Sequence, residues 1–241
     1  TTGPMPHPRE QHSAVALPDG RVLVAGGSAP GPTYPKIAEV YDPTTNEWSE
    51  AGEMSSARLW LTALLMDDGR VLVIGGYDPM RGSREAPFWP PPEVFDPASG
   101  TWSVLPTDVQ ENYGSSQVLL PDGRVLLSGL QQWGFCNHYG NSLSQTLILD
   151  PAAGTSIPGP DMQASRIQQW TAELADGTVV LGGGLRISRG WECARSRRRL
   201  GGWWRSSIPR RGSCDSSPPF LRILPTGQPT CRVAALVTSC D

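Results

Sequence analysis

Sequence signals for helices and membrane spans are scarce in this chain. Helix start and stop signals are nearly absent, whereas 27 Gly and 24 Pro bound short apolar runs, which predicts an all-β fold with many short strands. No apolar run approaches the length of a membrane span, and Thr1–Glu10 lacks the apolar core of a signal peptide. The chain starts with Thr rather than Met, which is compatible with an upstream segment that was removed or left out.

Cysteines and enzyme signatures are also few. Only Cys136 of the five cysteines precedes Leu185, so cysteine usage does not indicate a redox compartment for that part of the chain. There is no G-x-S-x-G, no H-E-x-x-H and no metal-spaced pair of Cys or His, which are the motifs of common hydrolases and zinc sites. The sequence therefore predicts a non-enzymatic protein without a resident cofactor.

One sequence motif of about twelve residues occurs four times. LLMDDGRVLVIGG at Leu64–Gly76 has counterparts at Val15–Gly27, Val118–Leu130 and Glu173–Gly184. Each copy carries an Asp-Gly pair, predicted to form a tight hairpin turn, and one or two glycines after the next strand, where a Cβ would prevent a bend or a close approach. The Asp-Gly pairs are Asp19-Gly20, Asp68-Gly69, Asp122-Gly123 and Asp176-Gly177, and the later glycines are Gly26-Gly27, Gly75-Gly76, Gly129 and Gly183-Gly184.

A third landmark completes the repeat. Asp-Pro pairs at positions 42, 96 and 150, which are 54 residues apart, follow a predicted third strand and lead into a fourth strand that Trp48 and Trp102 open. The third copy has Ser156 where this Trp is expected. Four short strands in a repeat of about fifty residues are the pattern of one propeller blade.

These residues resemble the kelch repeat, with its di-glycine after strand two, an aromatic residue in strand three and a Trp in strand four. The resemblance, to the galactose oxidase-like kelch superfamily, covers roughly Met5–Leu185 and implies an incomplete β-propeller of three to four four-stranded antiparallel blades within residues 1–185. Residues 186–241 then form an irregular C-terminal tail. By resemblance, the function is that of a binding or scaffold module that recognises a protein or a glycan through inter-strand loops.

The tail differs from the repeats in charge and composition. Up to Leu185 there are nine Lys and Arg against 20 Asp and Glu, whereas the remainder has 11 Arg and three acids. Every landmark stops there, and the Arg, Ser, Gly, Cys, Trp and Pro that follow are typical of a GC-rich gene read out of frame. We hypothesise a shifted reading frame near codons 182–190, which would end the fourth blade after its second strand and leave a truncated product without its own activity. A disordered tail and a basic arm for nucleic acid are the alternatives, although the tail lacks the aromatic–basic interleaving of nucleic-acid modules.

Two groups of residues are candidates for binding. The first would ring one mouth of the central channel, ten residues before the Asp of each Asp-Gly pair, and consists of Arg9, Arg58, Asn112 and Arg166. Such a ring could bind a carboxylate or a phosphate, or each Arg could tie neighbouring blades together. The second lies on the loop of residues 77–91 and consists of Arg81, Arg84, Phe88 and Trp89. Interfaces favour such residues, although Phe88 and Trp89 could instead fold back to cover their own blade.

The remaining loops and aromatics have simpler interpretations. Loops 28–37 and 131–145 are the other variable connections between strands two and three, and variable loops on a rigid scaffold commonly carry function. Trp60 and Trp170 are predicted to pack between blades rather than to form a sugar platform.

A copper radical oxidase of the galactose oxidase type is the alternative from another class. That family binds copper through two Tyr and two His, and His138, Tyr139 and Cys136 are the weak metal-site candidates here. The family places Tyr before His in one ligand pair, whereas His138 precedes Tyr139, so the pattern does not fit. The resemblance also favours an extracellular or periplasmic location. Open blade edges predict self-association.

Overall fold

A computed structural model describes residues 2–31, 33–82, 88–107, 109, 116–134, 137–174, 178–184, 220–223 and 233–236. These residues contain strands, turns and no helix, and they form four four-stranded antiparallel sheets and one two-stranded hairpin. None of the sheets is closed. The prediction of an all-β, incomplete propeller is confirmed.

Each four-stranded sheet is one blade. Blade 1 contains β1 (Ser13–Ala16), β2 (Val22–Ala25), β3 (Ile37–Asp42) and β4 (Glu47–Glu53), paired in that order. Blade 2 contains β5 (Leu59–Leu65), β6 (Val71–Tyr77), β7 (Glu93–Asp96) and β8 (Thr101–Val104). Blade 3 has β9 (Ser116–Leu119) and β10 (Val125–Ser128), then the separate hairpin β11 (Gln131–Gly134) and β12 (Asn137–Ser142), and closes with β13 (Leu147–Asp150) and β14 (Thr155–Pro158). The hairpin lies within residues 131–145, which the sequence predicts as a loop.

Blade 4 differs most from the sequence prediction. Its first strands, β15 (Trp170–Glu173) and β16 (Val179–Gly182), pair as expected. The sequence predicts no further strands, yet β17 (Phe220–Ile223) pairs with β16, and β18 (Val233–Leu236) pairs with β17. Both are short apolar runs that can pair without the repeat landmarks. The shifted-frame hypothesis for residues 186–241 stays a prediction.

The hairpin turns after the inner strands have three residues rather than two. In the first, Leu17 N donates to Arg21 O over 2.8 Å and Gly20 N donates to Leu17 O over 3.0 Å, and Gly20 alone takes a positive φ, of 88°. This is a turn followed by a left-handed glycine, a common hairpin type. The Asp19 carboxylate holds the turn by accepting Arg21 N at 3.0 Å and Arg21 Nε at 2.7 Å.

The core lies between the blades because both faces of each inner strand pair are covered. In β6, Val71 and Val73 pack with blade 1, whereas Leu72 and Ile74 pack with blade 3. All four are fully buried. Successive side chains of a strand point to opposite faces, so a strand between two neighbouring blades reads as a continuous apolar run rather than an alternating one. This explains the VLVIGG-type runs of the repeat.

Tryptophans on the outer strands of blades 1 and 2 tie each of these two blades to the segment that precedes it. Trp102 Nε1 donates to Ala51 O of blade 1 over 2.7 Å, and its ring lies 5.0 Å from that of Phe95. Trp48 Nε1 donates to Gly3 O over 3.1 Å. The Trp of strand four is therefore a packing residue with one hydrogen bond, as buried indoles usually are.

Candidate binding site

The four inner strands lie side by side in the order β1, β5, β9 and β15, and polar side chains connect them. Ser13 Oγ accepts Ala63 N at 3.0 Å, Thr62 Oγ1 donates to Gln117 Oε1 over 2.6 Å, and Ser116 Oγ lies 3.0 Å from Thr171 Oγ1. The turns that precede these strands therefore meet at one end of the propeller, where the candidate site lies.

A left-handed residue marks the start of the inner strands of blades 1, 2 and 4. Gln11, Trp60 and Gln168 have φ of 59°, 57° and 54°, and each stands eight residues before the Asp of its Asp-Gly pair. The corresponding residue of the third copy is Gly114, which lies outside the described residues. Sequence reasoning missed this landmark, although a glycine at the same spacing was the available signal. A large residue such as Trp60 is rarely left-handed, and such strain is often found at functional sites.

The di-glycines fit closely around these turns. Gly27 N donates to Arg58 O of blade 2 over 2.7 Å. A Cβ on Gly26 would lie 2.4 Å from Leu61 Cδ2 and 2.8 Å from Arg58 O, and one on Gly27 would lie 2.4 Å from Glu10 O. The absence of a Cβ on Gly26 thus leaves room for blade 2, and its absence on Gly27 leaves room for the turn before β1 of the same blade.

Arg9, of the predicted channel ring, is buried within blade 1. Its Nη2 lies 2.6 Å from Glu39 Oε2, and neither side chain is exposed. Nη1 donates to the carbonyls of Gly26 and Ile37, and Nε donates to His7 O. Burial lowers the pKa of the Arg9 guanidinium, while the charge of Glu39 acts in the opposite direction.

Arg58 repeats this arrangement in blade 2. Its Nη2 lies 2.9 Å from Glu93 Oε1, with side-chain exposures of 0% and 2%, and it also donates to Pro91 O. Nη1 donates to Gly75 O and Pro90 O over 3.1 and 3.3 Å. Both arginines therefore bind carbonyls and an acid, and each of these partners belongs to the arginine's own blade, whereas the sequence interpretation has each Arg tying neighbouring blades together.

Blade 3 differs from blades 1 and 2 at both positions of this ion pair. Glu39 and Glu93 stand three residues before the Asp-Pro pair of their blades, and blade 3 has Leu147 at that position. Blade 3 also has Asn112 in place of the arginine, and Asn112 lies outside the described residues. In blade 4, Arg166 Nη1 donates to Gly183 O over 3.0 Å. The loss of both partners together in blade 3 avoids an unpaired buried charge. Whether the ring binds an anion stays a prediction.

An open cleft of about 600 Å³ lies between the loops of blades 1 and 2. The segment before β1 lines it with Pro8, Glu10 and Gln11, the β2–β3 loop adds Ser28 and Tyr34, and Leu59 of blade 2 completes it. Glu10 and Gln11 are exposed. Ser28 Oγ lies 3.5 Å from Glu10 Oε1, so the rim carries hydrogen-bonding groups above partly apolar walls.

An aromatic row adjoins this cleft on blade 2. The rings of Trp60 and Tyr77 stack at 5.5 Å with an interplanar angle of 22°, and Trp89 meets Tyr77 at 6.2 Å and 67°. Trp60 is 44% exposed and Trp170 is 50% exposed. Trp60 thus stacks on an aromatic ring of its own blade, and packing of Trp60 and Trp170 between blades stays a prediction. Trp60 N donates to Gln11 O over 3.3 Å, which places the Trp60 backbone beside the cleft.

The described part of the loop from residue 77 to residue 91 turns around Asp78, a buried carboxylate. Asp78 Oδ1 accepts Met80 N at 2.8 Å and Arg81 N at 3.2 Å, and Asp78 N donates to Phe88 O. Arg81 lies over the Phe88 ring at 4.1 Å. Phe88 and Trp89 are half-buried and Arg81 is exposed, while Arg84 lies outside the described residues. The binding role of this group stays a prediction.

The copper-site candidates fall on or beside the β11–β12 hairpin. His138 and Tyr139 are on β12, and Cys136 lies outside the described residues. Within the described ranges, no group of three or more His, Cys, Asp or Glu is placed to hold a metal ion. The described part of the chain contains no helix that is long and apolar enough to cross a membrane.

Comparison with known proteins defines the class of blade 1. Residues 11–55 match the Kelch motif family, and this segment includes all of β1 to β4. Blade 1 therefore matches the kelch motif in sequence, and all four four-stranded sheets are consistent with the organisation of kelch blades. No curated protein matches the chain.

Proposed function

We propose that this chain is a non-enzymatic binding module that recognises a protein through the loop end of blades 1 and 2. The kelch motif of blade 1 suggests a protein-interaction propeller. The observation that carries the proposal is the turn of residues 78–82, at the start of the β6–β7 connection, which presents Met80 and Arg81 to solvent. That the partner is a protein is itself part of the proposal, because a fold alone does not set function.

The hydrogen bonds within this turn support recognition of a partner with little rearrangement of the backbone. Asp78 is 2% exposed and fixes two successive backbone amides, and Gly82 N closes the turn by donating to Asp78 O over 3.1 Å. Arg81 Nη1 donates to Ser56 Oγ over 3.3 Å. A loop that is ordered before binding loses less conformational entropy in the complex.

The chemistry of the exposed residues suits a protein surface. Met80 is 68% exposed, and Arg81 presents part of its guanidinium beside it. Met and Arg are enriched in protein interfaces, and an unbranched thioether adapts to irregular partner surfaces. The expected partner surface therefore offers an apolar pocket for Met80 and an acceptor for Arg81.

Site-specific photocrosslinking tests this proposal. A photoreactive residue at Met80 is compared with one at Val104, which is 46% exposed on the outer strand of the same blade. A partner crosslinked from position 80 is then purified and titrated against the intact chain, Met80→Asp and Val104→Asp. We expect Met80→Asp to weaken binding at least about tenfold and Val104→Asp to leave it within about twofold. Equal crosslinking from both positions, or equal affinities of the two variants, would refute the proposed face.

A further inference from the structure

We propose that two copies of this chain pack face to face, with blade 4 of each copy against blade 1 of the other. Two such contacts, related by a twofold axis, close the pair into a ring of eight blades, and propellers typically contain about four to eight. The inner strands β1, β5, β9 and β15 form a row with blades 1 and 4 at its ends, and none of the described sheets is closed. The contact uses blade faces, so it is separate from protein recognition by the turn of residues 78–82.

The trailing face of a blade, which packs against the following blade, uses the same three positions in blades 1 to 3. These positions lie four and two residues before the Asp of the Asp-Gly pair and four residues after it. They place apolar side chains in the three inter-blade cores, and these are Val15, Leu17 and Leu23, then Leu64, Met66 and Leu72, then Val118, Leu120 and Leu126. Blade 4 carries Ala172, Leu174 and Val180 at these positions.

The trailing face of blade 4 is apolar, but it is less covered than those of the other blades. Leu174 is 44% exposed, whereas its counterparts Leu17 and Met66 are 4% and 9% exposed. Val180 is half-buried, whereas its counterpart Leu23 has no exposed surface. Blade 4 therefore presents to solvent the side chains that the other blades use for an inter-blade contact.

The leading face of blade 1 is the complementary surface, because the leading face of a blade packs against the blade before it. Val71 of blade 2 and Val125 of blade 3 have no exposed surface, whereas their counterpart Val22 is half-buried. Leu65 of blade 2 packs into the core shared with blade 1, whereas its counterpart Ala16 is exposed. Burial of this apolar surface against a blade would stabilise the contact.

The chain before blade 1 indicates that the leading face of this blade is built to receive a blade. Gly3 O accepts the hydrogen bond of Trp48 Nε1 at 3.1 Å. Ala51 O, near the end of β4, accepts that of Trp102 Nε1 of blade 2 at 2.7 Å. The chain around Gly3 therefore takes, beside blade 1, the place that the end of a preceding blade takes beside blade 2. Blade 4 of a second copy supplies the apolar face that the inner strands of blade 1 still lack.

Analytical ultracentrifugation of the full chain over a range of concentrations tests the pairing. We expect a dimer of about 52 kDa, twice the 26.0 kDa of the chain, at tens of micromolar protein. Leu174→Arg on the trailing face and Ala16→Arg on the leading face should each raise the dimer Kd at least about tenfold, because each places an unpaired charge in the contact. Ile157→Arg, at a residue 52% exposed on the outer strand of blade 3, should leave the Kd within about twofold. A monomer at every concentration, or a mass that keeps growing beyond the dimer, would overturn the proposal.

A mixture of the two variants tests which faces meet. The Leu174→Arg copy keeps its leading face and the Ala16→Arg copy keeps its trailing face, so the mixture can form one of the two contacts. We expect a heterodimer that is weaker than the intact dimer but stronger than the dimer of either variant alone, which also shows that both variants fold. Absence of this heterodimer, or loss of the dimer in only one variant, would refute the pairing of unlike faces. Met80→Asp should leave the dimer unchanged, so failure of the protein-binding proposal would be seen separately.

Discussion

The buried pair of Arg58 and Glu93 should show strong energetic coupling. Glu93→Leu leaves the guanidinium in the interior without its carboxylate, which is 2.9 Å away. Arg58→Asn leaves the carboxylate with the backbone amide of Ser55, a bond of 2.7 Å. Removal of one partner of a buried ion pair typically costs about 3–5 kcal/mol, because an uncompensated charge remains. Each single variant should therefore lose stability in that range.

The double variant reproduces the combination that blade 3 carries, Asn112 with Leu147. It removes both charges, so neither desolvation penalty remains. We expect its loss to be about that of one single variant, which corresponds to a coupling free energy of about 3 kcal/mol. Urea denaturation followed by tryptophan fluorescence gives the free energies of unfolding. Since the single losses approach the stability of an ordinary domain, about 5–15 kcal/mol, Glu93→Gln serves as a milder single variant.

The exposed pair of Arg70 and Asp68 is the matched control. Its Nη2–Oδ2 distance is 2.6 Å, shorter than in the buried pair, but both side chains are 49% exposed. Exposed pairs contribute about 0–1 kcal/mol, so the same cycle on Arg70 and Asp68 should give a coupling below about 1 kcal/mol. Additivity of Arg58 and Glu93 within about 0.5 kcal/mol, or equal coupling in the two pairs, would refute the reasoning.

Three further predictions concern backbone conformation and acid stability. Gly26→Ala should destabilise the chain by about 1–3 kcal/mol more than Gly20→Ala in thermal or urea unfolding. Both glycines have positive φ, but only Gly26 has Leu61 and backbone within 3 Å of an added Cβ. Equal losses of stability would show that the close approach to blade 2 is unimportant. Gln11→Gly should stabilise the chain by about 1 kcal/mol, since it relieves a left-handed residue, and a loss of stability would contradict this. The hydrogen bond from the Arg70 side chain lowers the pKa of Asp68 below its ordinary value of 3.8. The Asp68 carboxylate therefore stabilises the folded chain at pH values above 3.8, and this stabilisation is lost as the pH falls through the lowered pKa. The difference between the intact chain and Asp68→Asn should therefore shrink between pH 5 and pH 2, and a difference independent of pH would contradict the prediction.

The repeat itself could be predicted from local sequence. Asp-Gly turns, di-glycines and Asp-Pro turns recur at nearly constant spacing, and each acts within a few residues of its position. Apolar runs such as VLVIGG identify strands covered on both faces. The strands of blades 1 to 3 and the close approach at Gly26 follow from these signals.

The candidate site was decided by tertiary structure. Arg9 and Glu39 are thirty residues apart in sequence. The bridge between Glu10 and Ser28 and the register of β2 with β3 bring them together inside one blade, which buries a group that the sequence predicts at the channel mouth. The stacking of Trp60 on Tyr77 joins residues seventeen positions apart through the pairing of β5 with β6, and the sequence around Trp60 alone does not indicate it. Strands β17 and β18 join blade 4 through pairing with β16, more than thirty residues away. Local chemistry fixes turns and strands, whereas burial, charge pairing and exposure depend on which distant segments meet.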